Sequence, residues 1–186
     1  MTDFDLYPLG LKGLCLVGQK QFTDHRGRFA RLFCQTRLNV QGKRFEIRQI
    51  NHSRTVGKGS VRGLHFQHAP HAESKLITCL AGSIWDVAVD LRPGSPTFLQ
   101  WHAEELAAND GRSLLIPAGF AHGFQVLSDE AQILYCSDAD YTPADEAGLS
   151  PNDAALAISW PLPVSNLSAR DAAHPPIDAS FAGVRL

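Results

Sequence analysis

Apolar residues recur along this chain in short runs punctuated by Gly, Pro, Asn and Asp, while sustained helical periodicity is scarce. That pattern predicts an all-β sandwich or barrel. The candidate strands are GLCLVGQKQF, GRFARLF, RFEIRQINHS, SVRGLHFQ, KLITCLAG, SIWDVAVDLR, SLLIPAG, HGFQVLS and AQILYCSD. Helix is expected only in short pieces, HAEELAAN (102–109) and CQTRLNV (34–40). Without an internal repeat, low-complexity tract or linker, residues 1–186 read as one domain, and the Pro- and Ala-rich tail after Trp160 as irregular structure.

Alternation along a strand sorts side chains onto two faces. In SIWDVAVDLR, Trp85, Val87, Val89 and Leu91 share an apolar face, while Ile84, Asp86, Ala88 and Asp90 mix carboxylates with apolar groups. Gln49 and Asn51 likewise fall with Phe45 and Ile47, and His122 falls with Phe124 and Val126. Polar groups on an apolar face need partners, because burying each one unpaired costs a few kcal/mol. A sheet closed around a polar-studded cavity would supply them. Arg62 and His65 in SVRGLHFQ have opposite parity, so Gly63 is expected in a bulge if both reach one cavity.

Composition narrows the function classes. A chain of 186 residues with 44% hydrophobic content can bury a core, and a formal net charge of −2 leaves no broad basic surface for nucleic acid or anionic lipid. An anionic ligand must therefore be held by a few local arginines and lysines. The start MTDFDLYPLGLKGL has acids and a proline where a signal peptide needs a basic start and an unbroken apolar run, and no later run approaches a membrane-spanning length. A cytoplasmic location is the expectation. Cys15, Cys34, Cys79 and Cys136 are widely spaced with no C-x-x-C pair, and read as free thiols in a domain that needs no disulfide.

The segments DHRGRF, RGLHFQ, Lys75, DVAVDLRPGSPT, IPAGFAHGF, LYCSDADY, WPLP and LSARD occur in order from about residue 22 to residue 171. In this order they resemble the dTDP-4-dehydrorhamnose 3,5-epimerases. The resemblance implies a cupin-type β jelly roll (double-stranded β-helix) with a few short helices, acting as a homodimer without metal or organic cofactor on a nucleotide-linked 4-keto-6-deoxy sugar. Epimerisation beside a ketone requires a base, a group that steadies the enolate oxygen, and an acid on the opposite face. By resemblance His65 is the base, held by Asp171; Lys75 lies by the C4 oxygen; and Tyr135 is the proton donor. Arg26 and Arg62 fall on positions used around the nucleotide and are assigned to the diphosphate, where a guanidinium grips two oxygens. Gln49, Asn51, His122, Tyr141, Glu146 and Arg170 fall on ligand-contacting or pocket-lining positions, Arg170 in place of the usual lysine, and Phe29 is placed to help stack the base.

Two positions depart from the family pattern. Arg31 stands where a glutamate is usual, and Ile50 replaces the middle residue of Q-D-N. An arginine can only donate, so Arg31 either points away or addresses a base whose N3 accepts, such as cytosine. Ile50 has opposite parity to its neighbours and is expected in the core. Two other readings compete. A metal-dependent cupin oxygenase or isomerase is suggested by His65, His68, His71 and PAGFAH, but Gln67 stands where the second histidine of H-x-H would be, and a spacing of three alternates faces. A non-catalytic sugar-nucleotide binder would keep Arg26 and Arg62 and dispense with the acid or base. Long strands left at a sheet edge invite cover, and swapping an N-terminal strand between two copies would put Arg26 and Arg31 at the other copy's pocket.

Overall fold

The computed structural model describes residues 4–40 and 42–186. Its strands are β1 (Phe4–Pro8), β2 (Cys15–Gln19), β3 (Gln21–Asp24), β4 (Gly27–Ala30), β5 (Asn39–Val40), β6 (Lys43–Arg44), β7 (Gln49–Val56) and β8 (Val61–Gln67). They continue with β9 (Lys75–Ala81), β10 (Ser83–Asp90), β11 (Trp101–Ala107), β12 (Arg112–Ile116), β13 (Phe120–Val126), β14 (Glu130–Ser137) and β15 (Glu146–Gly148); a one-turn helix, α1, covers Ala169–Ala172. Antiparallel pairing gives a six-stranded sheet, β1-β2-β12-β9-β14-β7, and a five-stranded sheet, β11-β10-β13-β8-β15. The strands β3 and β4 form a separate hairpin.

The two large sheets face each other across a core of Ile77, Cys79, Leu114, Ile116 and Ile133 on one side and Ile84, Ala88, Leu106, Phe120, Phe124 and Val126 on the other. This is an all-β sandwich, as the strand pattern predicts, in the jelly-roll arrangement that the resemblance implies. The outer face of the five-stranded sheet, carrying Val87, Val89 and Leu91, is covered by C-terminal residues including Leu156, Ile158, Trp160 and Val184. Val17, Leu76 and Leu115 on the other outer face meet Phe4, Leu38 and Phe45. Strand β10 is therefore buried on both faces, and each of its two alternating residue sets reaches a different core. The irregular tail after Trp160 is a structural cover, interrupted only by α1 among the described residues.

Three expectations need correcting. HAEELAAN lies mostly in β11, whose backbone pairs with β10 from Ser83↔Ala107 to Val89↔Trp101; the ladder overrides the helical preference of Ala, Glu and Leu. CQTRLNV makes one turn, with Arg37 and Leu38 N–H donating to the Cys34 carbonyl, and then enters β5. Ile50 is 59% exposed rather than buried, because it sits on edge strand β7, on the sheet face opposite the cavity, beyond the reach of the covering segment. The cysteines are free, with Cys15, Cys79 and Cys136 buried, and burial pushes the Cys79 thiol up to about 11. Among the described residues, no helix is long and apolar enough to cross a membrane.

Candidate active site

The two sheets meet at a polar cavity of about 200 Å³ lined by Asn51, Ser53, Arg62, His65, Lys75, His122 and Tyr135, among others. It adjoins a wider cleft of about 480 Å³ that shares Arg62 and His65 and adds Arg170 and Asp171. Strands β8 and β13 of the five-stranded sheet bring Arg62, His65 and His122; β7, β9 and β14 of the six-stranded sheet bring Asn51, Ser53, Lys75 and Tyr135.

A bulge reconciles the parities of Arg62 and His65. His65 pairs with His122 and Arg62 with Phe124, so two steps along β13 are matched by three along β8. Cross-strand partners project to the same side, which places Arg62 and His65 on one face. Gly63 makes this possible. Its φ is +112°, and a Cβ there would lie 2.7 Å from Gly123 Cα and from the His122 carbonyl oxygen.

His65 Nε2 lies 2.8 Å from Asp171 Oδ1, while Asp171 Oδ2 accepts from Gly63 N–H at 3.3 Å. Ser168 caps α1 by accepting from the Asp171 N–H, which fixes the carboxylate at the mouth of the bulge. Burial pushes the Asp171 carboxyl up, but the His65, Gly63 and Ser168 bonds outweigh it and hold the group below its ordinary value. An ionised Asp171 requires the proton of a neutral His65 on Nε2, leaving the lone pair on Nδ1. Burial lowers the His65 pKa, nearby Arg170 and Lys75 lower it further, and Asp171 opposes them. At neutral pH the imidazole is thus a free base held in one tautomer.

Around the dyad, Tyr135 Oη is 3.1 Å from Ser53 Oγ, and burial raises the phenol's pKa despite that bond. Lys75 Nζ is 3.1 Å from Glu73 Oε1, with both side chains largely buried. His122 Nε2 is 2.7 Å from Asp86 Oδ1, also buried, so Asp86 fixes the imidazole that faces His65 across the ladder. Arg170 Nη1 donates to Glu146 Oε2 at 2.8 Å, the Tyr141 hydroxyl donates to the same oxygen at 2.8 Å, and Gln49 Oε1 accepts from Tyr141 N–H at 3.0 Å. Arg170 Nη2 comes within 3.0 Å of His65 Nε2. With that nitrogen donating to Asp171, the contact sets a cation beside the imidazole without bonding to it.

His65, Lys75, Tyr135, Asp171, Arg62, Asn51 and His122 are thus brought together, with Gln49, Tyr141, Glu146 and Arg170 linked at the rim. Arg26 and Arg31 are not. Arg26 is 78% exposed at the β3–β4 turn, paired with Asp24 at 2.6 Å, and Arg31 is exposed just after β4; neither lines the cavity of its own chain. Phe29 is exposed on the same hairpin. The turn geometry of DHRG explains this: Asp24 accepts the Arg26 N–H and ties the guanidinium to its own loop. His71 and His68 diverge from His65, His71 being held by Asp145 at 2.6 Å and His68 accepting from Arg185 N–H at 3.3 Å.

Sequence reasoning passed over Ser53 and Glu73. Both carried a signal: Ser53 continues the parity of Gln49 and Asn51, and Glu73 stands two residues before Lys75. Asp90 lies elsewhere, binding Arg92, Ser95 and Thr97 in the loop after β10.

Comparison with known proteins identifies the family. The family model described as dTDP-4-dehydrorhamnose 3,5-epimerase matches residues 8–179. The dTDP-4-dehydrorhamnose 3,5-epimerase of Salmonella typhimurium is 44% identical over 168 residues, covering 89% of this chain and 91% of that protein. A dTDP-4-dehydrorhamnose 3-epimerase of Streptomyces niveus is 40% identical, covering 89% and 80%. The crystal structure of the Legionella pneumophila dTDP-6-deoxy-D-glucose-3,5-epimerase, in complex with dTDP-4-keto-L-rhamnose, superposes with a TM-score of 0.88 at 38% identity, covering 98% and 99%. With the His–Asp pair, the lysine and the tyrosine converging in a cupin-type jelly roll, the chain belongs to the dTDP-4-dehydrorhamnose 3,5-epimerase family.

Proposed function

We propose that this protein epimerises a nucleotide-linked 4-keto-6-deoxy hexose at C3 and C5, or at C3 alone, for deoxysugar biosynthesis. One observation carries the reading: a tautomer-fixed His65–Asp171 pair, the Lys75 ammonium and the Tyr135 hydroxyl converge from both sheets on one cavity. His65 Nδ1 takes the proton from the carbon beside the ketone. The C–H electron pair becomes the enolate double bond, and charge collects on the C4 oxygen, where Lys75 steadies it. Tyr135 then returns a proton to the opposite face. Its raised pKa makes it a weak acid, yet an enolate is basic enough to take that proton. All these steps are proton transfers between side chains and the sugar. Arg62 and Arg170 flank the cleft of about 480 Å³ next to the dyad, a suitable place for the diphosphate.

The remaining assignments follow from the exposed hairpin. Phe22, Phe29 and Arg26 stand out from the body, and edge strands β1 and β7 present Leu6, Tyr7, Ile50 and Val56 to solvent. A homodimer with exchanged N-terminal strands would cover these groups and bring Arg26, Arg31 and Phe29 to the nucleotide in the other subunit's cavity. Residues 1–186 would then act as one domain in each subunit, in the cytoplasm. Arg31, a donor where the family has an acceptor, makes the nucleobase open to test.

Incubating the enzyme in D₂O with dTDP-, CDP- and GDP-linked 4-keto-6-deoxy sugars, and following deuterium at C3 and C5, tests the reading. Label at one or both carbons with inversion is expected. Unlabelled sugars of every base type would refute it, and a strong dTDP preference would exclude the cytosine role for Arg31. Sedimentation at micromolar concentration should give twice the chain mass.

A further inference from the structure

One half-buried histidine near the dyad is unused by the proposed chemistry. His174, two residues past α1, packs its ring at 71° to that of His65 with centroids 6.4 Å apart. Its Nε2 is buried and has no hydrogen-bond partner among the described residues. The room it occupies exists because residue 148, opposite His65 in the β8–β15 ladder, is glycine; a Cβ there would collide with the His174 ring. One donor atom from each of His65, Asp171 and His174 lies within 4.8 Å of the other two.

We propose that His65, Asp171 and His174 form a binding site for a zinc-class divalent ion, and that the ion switches the enzyme off by capturing its base. Two imidazoles and a carboxylate suit zinc, copper or nickel and suit magnesium and calcium poorly. Donors around a tetrahedral zinc stand about 3.4 Å apart, given bonds of about 2.0–2.1 Å. Closing from 4.8 Å calls for a side-chain rotation of His174, which is carried on irregular chain rather than on a strand. The dyad itself needs little movement, since the metal takes the place of the proton shared between His65 and Asp171. Silencing follows whichever imidazole nitrogen is used. A metal on Nδ1 occupies the lone pair directly, and a metal on Nε2 sends the ring proton to Nδ1. The inhibitory consequence rests on His65 being the base; the metal site does not.

Arg170 opposes the ion. Its guanidinium reaches within 3.0 Å of His65 Nε2, and it must swing toward solvent, where its side chain is already 54% exposed beside Glu146. The site therefore makes two opposite predictions. His174→Ala, or the shape-preserving His174→Gln, should weaken zinc binding at least ~10-fold through loss of a ligand. Arg170→Gln should tighten it by ~10-fold or more through removal of a like charge.

Zinc chloride titrated into the full-length protein by calorimetry, cobalt chloride followed by visible absorption, and magnesium chloride as a control measure binding without reference to activity. Zinc should also halt deuterium exchange in the wild type, with recovery on chelation. The His174 variants should keep their basal exchange and need at least ~10-fold more zinc for the same inhibition. Failure of the wild type to bind zinc, equal affinity in the wild type and the His174 variants, or zinc-accelerated exchange would overturn the proposal. If the protein exchanges no sugar proton at all, the epimerase reading fails, while the binding measurements still decide the metal site.

Discussion

Replacing Asp171 with asparagine keeps side-chain volume while removing the charge that sets the tautomer of His65. Asp171 offers two acceptor oxygens, one 2.8 Å from His65 Nε2 and one 3.3 Å from Gly63 N–H. A charge-assisted hydrogen bond of this kind contributes ~1.5–3 kcal/mol, which alone corresponds to ~10- to ~150-fold in rate if it strengthens as the imidazole becomes charged. An asparagine can accept from only one of the two N–H groups. If its NH₂ turns toward His65, the ring proton moves to Nδ1 and the base is lost, a further factor of ten or more. The combined expectation is a ~10²–10⁴-fold fall in deuterium incorporation at C3 and C5, with Asn no better than Ala. The assay is exchange in D₂O, followed by NMR at fixed enzyme and sugar-nucleotide concentration. Circular dichroism and urea titration verify that the variant is folded. Exchange within ~10-fold of wild type in a folded Asp171→Asn protein would refute the claim that this carboxylate controls the base.

Asp90 provides a test of stability. Burial pushes its carboxyl up, but bonds from Arg92, Ser95 and Thr97 prevail and hold it down to about 2, against 3.8 when unperturbed. The stabilisation it gives is complete above the unfolded value and fades as pH falls through the folded one. Asp90→Asn should therefore cost ~2 kcal/mol in urea unfolding at pH 7, with the gap to wild type closing near pH 2; a gap independent of pH would contradict this. Ser53→Ala, which removes the hydroxyl partner of Tyr135, should lower kcat ~3- to 10-fold with KM unchanged in steady-state assays. Gly63→Ala forces a side chain into positive φ and against the β13 backbone, and should lower stability by ~2–4 kcal/mol in urea titration; a loss under ~1 kcal/mol would mean that the bulge readily rearranges.

The strand pattern made the two-sheet architecture legible because most strands carry their own alternation. It failed at β11, where HAEELAAN has the local preferences of a helix and only the neighbouring β10 decides otherwise. Parity told that His122 shares a face with Phe124 and Val126, and the mismatch between Arg62 and His65 located the bulge at Gly63; it failed for Gln49 and Asn51, because Phe45 and Ile47 precede β7 and pack on the outer face while Asn51 lines the cavity. For Ile50 the same parity argument separated it from Gln49 and Asn51 but gave no sign that its face was uncovered, since strand order is not written in local sequence. His174 was illegible for a related reason. Its neighbour is Gly148, and a glycine that makes room for a ring from a distant loop leaves no periodic trace.

The seam between the two sheets has a consequence for how this site varies. His65 and Tyr135, the proposed base and acid, belong to opposite walls, so the gap between them is set by how thickly the interior is filled by Ile77, Ile133 and Phe124. A substitution deep in that filling, touching no ligand, would widen or narrow the jaws and alter which carbon of the sugar is presented to each. Selection for a different stereochemical product can therefore act on interior side-chain volume, leaving every polar group at the mouth unchanged.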